Sequence, residues 1–238
     1  MNESTHEIAR RWEMLREQVN ETAFKCGRNP EDITVVAVTK THTVDVIKSG
    51  IDAGIRIFGE NYAQELKEKY EALKDYARDI QWHFIGHLQS NKIKYIAPFV
   101  SLIHSVDSIH TAEAISEEAK KNDRTIDILL QVNTSGETTK SGCEPDEIFK
   151  FAEYAMKIPN INILGLMTIG SFSDDKIQIR SEFRLLSSLR EKLNQSFKPH
   201  RFKHLSMGMT GDFDIAIEEG STYIRVGTAI FGERIYNR

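Results

Sequence analysis

Short apolar runs alternate with amphipathic segments through most of the chain, and that alternation defines the elements it predicts. Eight apolar runs end at Thr39, Phe58, Ile85, Ser105, Val132, Met167, Leu205 and Arg225 and read as strands. The intervals between their ends are 19, 27, 20, 27, 35, 38 and 20 residues, each with room for one helix and two short loops. That is the rhythm of a parallel sheet. Helical spacing falls in the intervals: Val44, Ile47 and Ile51 before Gly54; Ile148, Phe149, Ala152 and Met156 after a first-turn Pro145; and Ile179, Phe183, Leu186 and Leu193 in the longest interval. Gln89–Lys94 reads as the cap and start of a further barrel helix. The run Glu65-Leu-Lys-Glu-Lys-Tyr-Glu71 reads as an exposed helix face laced by i,i+4 pairs.

A helix precedes the first strand. Ser4 and Glu7 have capping-box spacing, Ile8, Trp12, Leu15, Val19 and Ala23 recur every three or four residues, and Gly27 and Pro30 end the pattern. No G-x-G-x-x-G follows any strand, and 238 residues suit a closed (β/α)8 TIM barrel better than an open doubly wound sheet. The expected organisation is α/β: one domain over 1–238, a (β/α)8 barrel with the extra helix of 1–27 packed on it.

Composition narrows the partners. With 31 Lys+Arg against 35 Asp+Glu the formal charge is −4, so there is no basic field for a nucleic-acid backbone. No stretch approaches the roughly 18 to 20 apolar residues of a membrane span, and the N-terminus lacks the pattern of a secretory signal. Cys26 and Cys143 stand alone, which offers neither a disulfide framework nor a zinc cluster and fits a cytoplasmic protein. His83, His87, His104 and His110 do not share a metal-ligand spacing, so no metal site is expected.

In such a barrel the reactive face lies at the C-terminal ends of the strands. Polar residues collect there: Lys40, Asn61, His83 and Gly86, Ser105 and Asp107, Asn133, Thr168, Ser206, then Arg225 with Gly227 and Thr228. Lys40 has two readings. Pointing into the barrel it is poorly hydrated, which favours the neutral amine that attacks carbonyls; starting a loop, it carries its charge out to solvent. The loops after the seventh and eighth strands, Leu205–Asp212 and Val226–Ala229, are small-residue segments that run into helix starts. They read either as ordinary turns or as a phosphate cup of unpaired N–H groups with hydroxyl donors. Strand one adjoins strand eight in a closed barrel, so an amine and a cup would share one mouth.

That pairing suits pyridoxal 5′-phosphate, and the sequence resembles the pyridoxal phosphate homeostasis proteins, the YggS/PROSC family, relatives of the alanine racemase barrel domain. The matching segments are Ala37-Val-Thr-Lys-Thr41, Phe58-Gly-Glu-Asn-Tyr62, Trp82-His-Phe-Ile-Gly-His-Leu-Gln-Ser-Asn-Lys92, Val132-Asn-Thr-Ser135 with Lys140-Ser-Gly142, Gly165-Leu-Met-Thr168, Leu205-Ser-Met-Gly-Met209 and Ile224-Arg-Val-Gly-Thr-Ala-Ile-Phe-Gly232. The resemblance implies that Lys40 carries the coenzyme as a Schiff base, that Ser206, Gly208, Gly227 and Thr228 hold the phosphate, that Asn61 lies beside the ring and that Arg225 faces its nitrogen. Thr39 and Thr210 stand where the family more often has Ser.

Racemase relatives add a tyrosine from a second domain, whereas this chain ends at Arg238 directly after the barrel. The expectation is therefore a monomeric, cytoplasmic carrier in pyridoxal phosphate homeostasis without efficient catalysis, with apo pyridoxal-phosphate enzymes as recipients. Lys140 is either a second amine in that hand-off or a solvated lysine. The alternatives are a racemase-like enzyme or a Schiff-base aldolase on the same barrel.

Overall fold

The computed structural model describes residues 3–76, 78–137, 139–199 and 202–233. Eight parallel strands close into a barrel in sequence order: β1 (Thr34–Val38), β2 (Ile57–Glu60), β3 (Gln81–Phe84), β4 (Leu102–Val106), β5 (Ile126–Gln131), β6 (Ile161–Met167), β7 (His204–Ser206) and β8 (Tyr223–Val226). Each ends within two residues of the position expected from the apolar runs. β8 closes on β1 with Val36 beside Arg225 and Ala37 beside Val226, which brings the two ends of the chain's chemistry together.

The helices are α1 (Glu3–Lys25), α2 (Val44–Asp52), α3 (Ala63–Leu73), α4 (Ile109–Lys121), α5 (Ile148–Ala155), α6 (Lys176–Ser196), α7 (Phe213–Glu218) and α8 (Thr228–Phe231). α8 is a single turn, and the outer ring is completed instead by α1, which packs against α2, α7 and α8. Its buried stripe is Ile8, Leu15, Val19 and Ala23, the positions the 3.6-residue period selects. Its end is a left-handed cap: Gly27 has φ +72° and the N–H of Arg28 reaches back to the carbonyl of Ala23.

Three local expectations are corrected. α1 already includes Glu3 and Ser4, so Ser4 is not its cap; residues 1 and 2 lie outside those described. Pro145 lies in the turn before α5, whose helical hydrogen bonding begins only at Ile148. Between β3 and β4 the chain forms a 3-10 helix, Ser90–Tyr95, and no α-helix. Pro98 limits that segment, since proline lacks an N–H and disfavours helical backbone in the residue before it. Ile93 and Ile96 are buried all the same, so the shorter turn still covers the barrel wall.

Most of the core lies between the strands' outer faces and the helices. Inside the barrel, Leu102, Leu129 and Met167 form a separate small cluster. Nearer the mouth the filling turns polar, with His83, His104, Ser206 and Arg225 all buried. Among the described residues no helix is long and apolar enough to cross a membrane.

Candidate functional site

A cavity of about 1010 Å³ opens at the C-terminal ends of the strands, lined by Lys40, Asn61, Gly86, Lys140, Met209–Asp212, Arg225, Gly227 and Thr228 among others. Lys40 lies two residues beyond β1, after Thr39. Gly227 lies so close to the end of β1 that an added Cβ would stand 3.0 Å from the carbonyl oxygen of Val38. The loop after β8 therefore abuts the segment that carries Lys40.

Asn61 follows β2. Its backbone is covered by Gly86, where a Cβ would fall 2.2 Å from the Asn61 carbonyl oxygen. Only glycine permits this approach, and the Ser105 hydroxyl pins the Gly86 carbonyl from β4. The buried Asn61 Oδ1 has no hydrogen-bond partner among the described residues. A buried amide oxygen left without a donor costs free energy on the order of 1–3 kcal/mol, which a ligand that donates there recovers.

Arg225 occupies the inner end of the cavity and is 5% exposed. Its Nη1 donates to Ser206 Oγ at 2.6 Å and its Nη2 to the carbonyl of Thr168 at 2.9 Å. Ser206 Oγ lies 2.8 Å from His104 Nδ1, and His104 Nε2 lies 3.0 Å from His83 Nδ1. The guanidinium can only donate, so Ser206 Oγ accepts from it; the direction of the Ser206–His104 bond depends on the imidazole tautomer, and the hydroxyl hydrogen is best used when it donates to Nδ1. His104 is then the Nε2–H tautomer and donates to His83. Burial holds both imidazoles neutral, His83 at about 3 and His104 well below the ordinary histidine value. Burial also lowers Arg225, to about 10, which leaves it protonated at neutral pH.

The loops after β7 and β8 adjoin one another, as their strands do, and both line the cavity. Among the described residues, the N–H groups of Thr210, Gly211, Gly227 and Thr228 make no hydrogen bond within the chain. Asp212 accepts from the N–H of Met209, and burial raises its carboxyl above the ordinary range.

The residues singled out from sequence separate here. Lys40, Asn61, Arg225, Gly227 and Thr228 line the cavity. Ser206 and Gly208, expected at a phosphate, do not line it. Ser206 belongs to β7, wholly buried inside the barrel, with its hydroxyl committed to Arg225 and His104. Gly208 (φ +93°) turns toward α7, where a Cβ would come 2.5 Å from that of Ala216. The hydroxyl-bearing residue of this loop that lines the cavity is Thr210. Lys140 is not a solvated lysine: it donates to Glu137 at 2.6 Å and to the carbonyl of Gly170 at 3.0 Å, at the cavity rim.

Sequence reasoning missed the His104–His83 pair, although strand alternation gave a signal, since His104 shares the inward parity of Leu102 in β4. It also missed Glu60 and misread Lys69. Both are buried and paired at 2.6 Å, so the Glu65–Glu71 segment is not simply an exposed face. Burial pushes the Glu60 carboxyl up to about 7 against the pull of Lys69. Among the described residues no cluster of three or more His, Cys, Asp or Glu is arranged to hold a metal ion.

Residues 9–235 match the family model described as the alanine racemase N-terminal domain. The chain is 42% identical over 220 residues to a pyridoxal phosphate homeostasis protein of Aquifex aeolicus, covering 92% of this chain and 95% of that one. The chain belongs to the pyridoxal phosphate homeostasis protein family. Within the family's fold, a crystal structure of an unknown protein from Bifidobacterium adolescentis matches with a TM-score of 0.92 at 39% identity, over 97% of each chain. The PipY protein of Synechococcus elongatus, in its structure with pyridoxal phosphate bound, matches with a TM-score of 0.84 at 33% identity, over 94% of this chain and 100% of that one.

Proposed function

We propose that the protein binds pyridoxal 5′-phosphate reversibly and acts as an intracellular carrier and buffer of that coenzyme, not as an amino-acid enzyme. The observation that carries this reading is the shared mouth: the amine of Lys40 and two loops with unpaired N–H groups line one cavity. The unsatisfied Asn61 Oδ1 fits a ligand with polar substituents on its ring, and the family's names and the coenzyme-bound PipY structure agree.

When bound, the coenzyme supplies an aldehyde that condenses reversibly with a neutral primary amine and releases water. Lys40 would hold that end. Thr210, Gly211, Gly227 and Thr228 would hold the phosphate through N–H and hydroxyl donors. Asn61 would flank the ring and Arg225 would meet its nitrogen. Ser206 then acts behind the site by fixing Arg225, and Gly208 by shaping the loop. A cationic donor disfavours a proton on the ring nitrogen, which weakens the ring as an electron sink. That suits storage better than catalysis.

The absorption spectrum tests this. Loaded wild-type protein should show a visible band that changes on borohydride treatment, and Lys40→Ala should lack it. An unchanged band in Lys40→Ala contradicts the assignment of the amine. Turnover of a common amino acid at about 1 per second or faster contradicts the carrier role.

A further inference from the structure

Behind Lys40 lies a charged layer that does not line the cavity. Glu60 at the end of β2 is fully buried, and Lys69 on α3 is 5% exposed. The Lys69 ammonium makes three hydrogen bonds: to the Thr39 carbonyl at 2.7 Å, to Glu60 Oε1 at 2.6 Å and to Glu65 Oε1 at 2.7 Å. Those are all the protons an ammonium has, so its position is fully determined. Thr39 Oγ1 donates to the same Glu60 oxygen at 2.6 Å. Glu65 Oε1 also accepts the backbone N–H of Thr41 at 2.6 Å.

The contacts converge on the residues either side of Lys40. Thr39 is gripped at its hydroxyl and its carbonyl, Thr41 at its amide. Thr41 has φ +67°, a left-handed conformation that a β-branched residue adopts only when its surroundings enforce it. A buried ion pair is by itself a poor source of stability, because desolvation of both charges offsets their attraction. We propose that Glu60, Lys69 and Glu65 are positioning residues for Lys40: they clamp the Thr39–Thr41 backbone so that the Lys40 side chain leaves it toward the cavity. This rests on the reading of Lys40 as the coenzyme's attachment point.

The test compares two ligands, pyridoxal 5′-phosphate and pyridoxine 5′-phosphate, which has the same ring and phosphate but no aldehyde. In Glu65→Ala the clamp on Thr41 is lost. Affinity for pyridoxal 5′-phosphate and the rate at which the visible band appears should each fall about tenfold or more, since Glu65 accepts charge-assisted hydrogen bonds from both Thr41 and Lys69, while pyridoxine 5′-phosphate binds within about twofold of wild type. Glu65→Gln keeps an oxygen for both Thr41 and Lys69 and should restore binding of the aldehyde. Glu60→Gln keeps the oxygen that Thr39 and Lys69 share and should, like Glu65→Gln, leave binding of the aldehyde near wild type. Unchanged affinity for pyridoxal 5′-phosphate in Glu65→Ala overturns the proposal, and so does an equal loss for both ligands, which would assign the triad to holding the barrel together. The Lys40→Ala control separates the two readings: if it binds pyridoxal 5′-phosphate as wild type does, the attachment point itself is wrong.

Discussion

At the scale of single residues, the site is legible in sequence where a side chain is exposed to the cavity and obscure where it acts from behind. Lys40, Asn61, Arg225, Gly227 and Thr228 follow from strand ends and motif, and the structure gathers all five around one cavity. Ser206 and Gly208 lie in the same motif but point elsewhere, because a strand residue alternates into the barrel and a positive-φ glycine turns its open side to a helix. Lys140 is the residue whose role the structure most changes. Bonded to Glu137 and the Gly170 carbonyl, it is a second amine in the cavity lining. We propose that it receives the coenzyme during hand-off to apo-enzymes. Lys140→Ala should slow transfer to a recipient apo-enzyme about tenfold or more without altering equilibrium loading at Lys40, a loss comparable to removal of one positioned polar group. Transfer at the wild-type rate would remove Lys140 from the route.

At the scale of elements, the strands were readable because each is a short apolar run bounded by polar residues, and burial on both faces is what such runs encode. The 3-10 helix Ser90–Tyr95 was not, since its apolar spacing resembles a helix and only Pro98 tells how soon it must stop. The junction of β2 with β3 depends on one glycine. At Gly86, alanine's Cβ would stand 2.2 Å from the Asn61 carbonyl oxygen and 2.6 Å from its Cα, and both are backbone atoms that cannot rotate away. Gly86→Ala should therefore cost about 2 kcal/mol or more in urea unfolding, within the range for overpacked or strained sites. It should also weaken coenzyme binding, because the atom displaced belongs to Asn61. Wild-type stability and binding in this variant would show that the two strand ends are not locked together.

At the scale of the whole molecule, α1 takes the place in the outer ring that a one-turn α8 leaves. The sequence predicted this helix but not its neighbours: α7 and α8 lie near the far end of the chain, and packing partners so distant leave no local pattern. The polar filling of the barrel has a consequence for acid stability. His83 and His104 are neutral in the folded protein and have depressed pKa values, so their contribution is complete above the unfolded histidine value of about 6.5 and is lost as pH falls toward the folded value, about 3 for His83. Glu60 has the opposite sign. With its folded value raised to about 7, it favours the folded state increasingly as pH falls from 7 toward 4.5. Between pH 6.5 and 5 the two histidines outweigh the one carboxyl, and stability should decline on the order of 1 kcal/mol per pH unit. Glu60→Gln removes the opposing group and should steepen the decline. Denaturant unfolding across this range checks both slopes, and a flat profile in Glu60→Gln would contradict the neutral-histidine interior.

The measurement that bears most directly on the central claim is the mass of the peptides released after the loaded protein is reduced with borohydride. One pyridoxyl adduct is expected, on the peptide that contains Lys40. An adduct found only on another lysine, or none in protein that carries bound coenzyme, would contradict that claim.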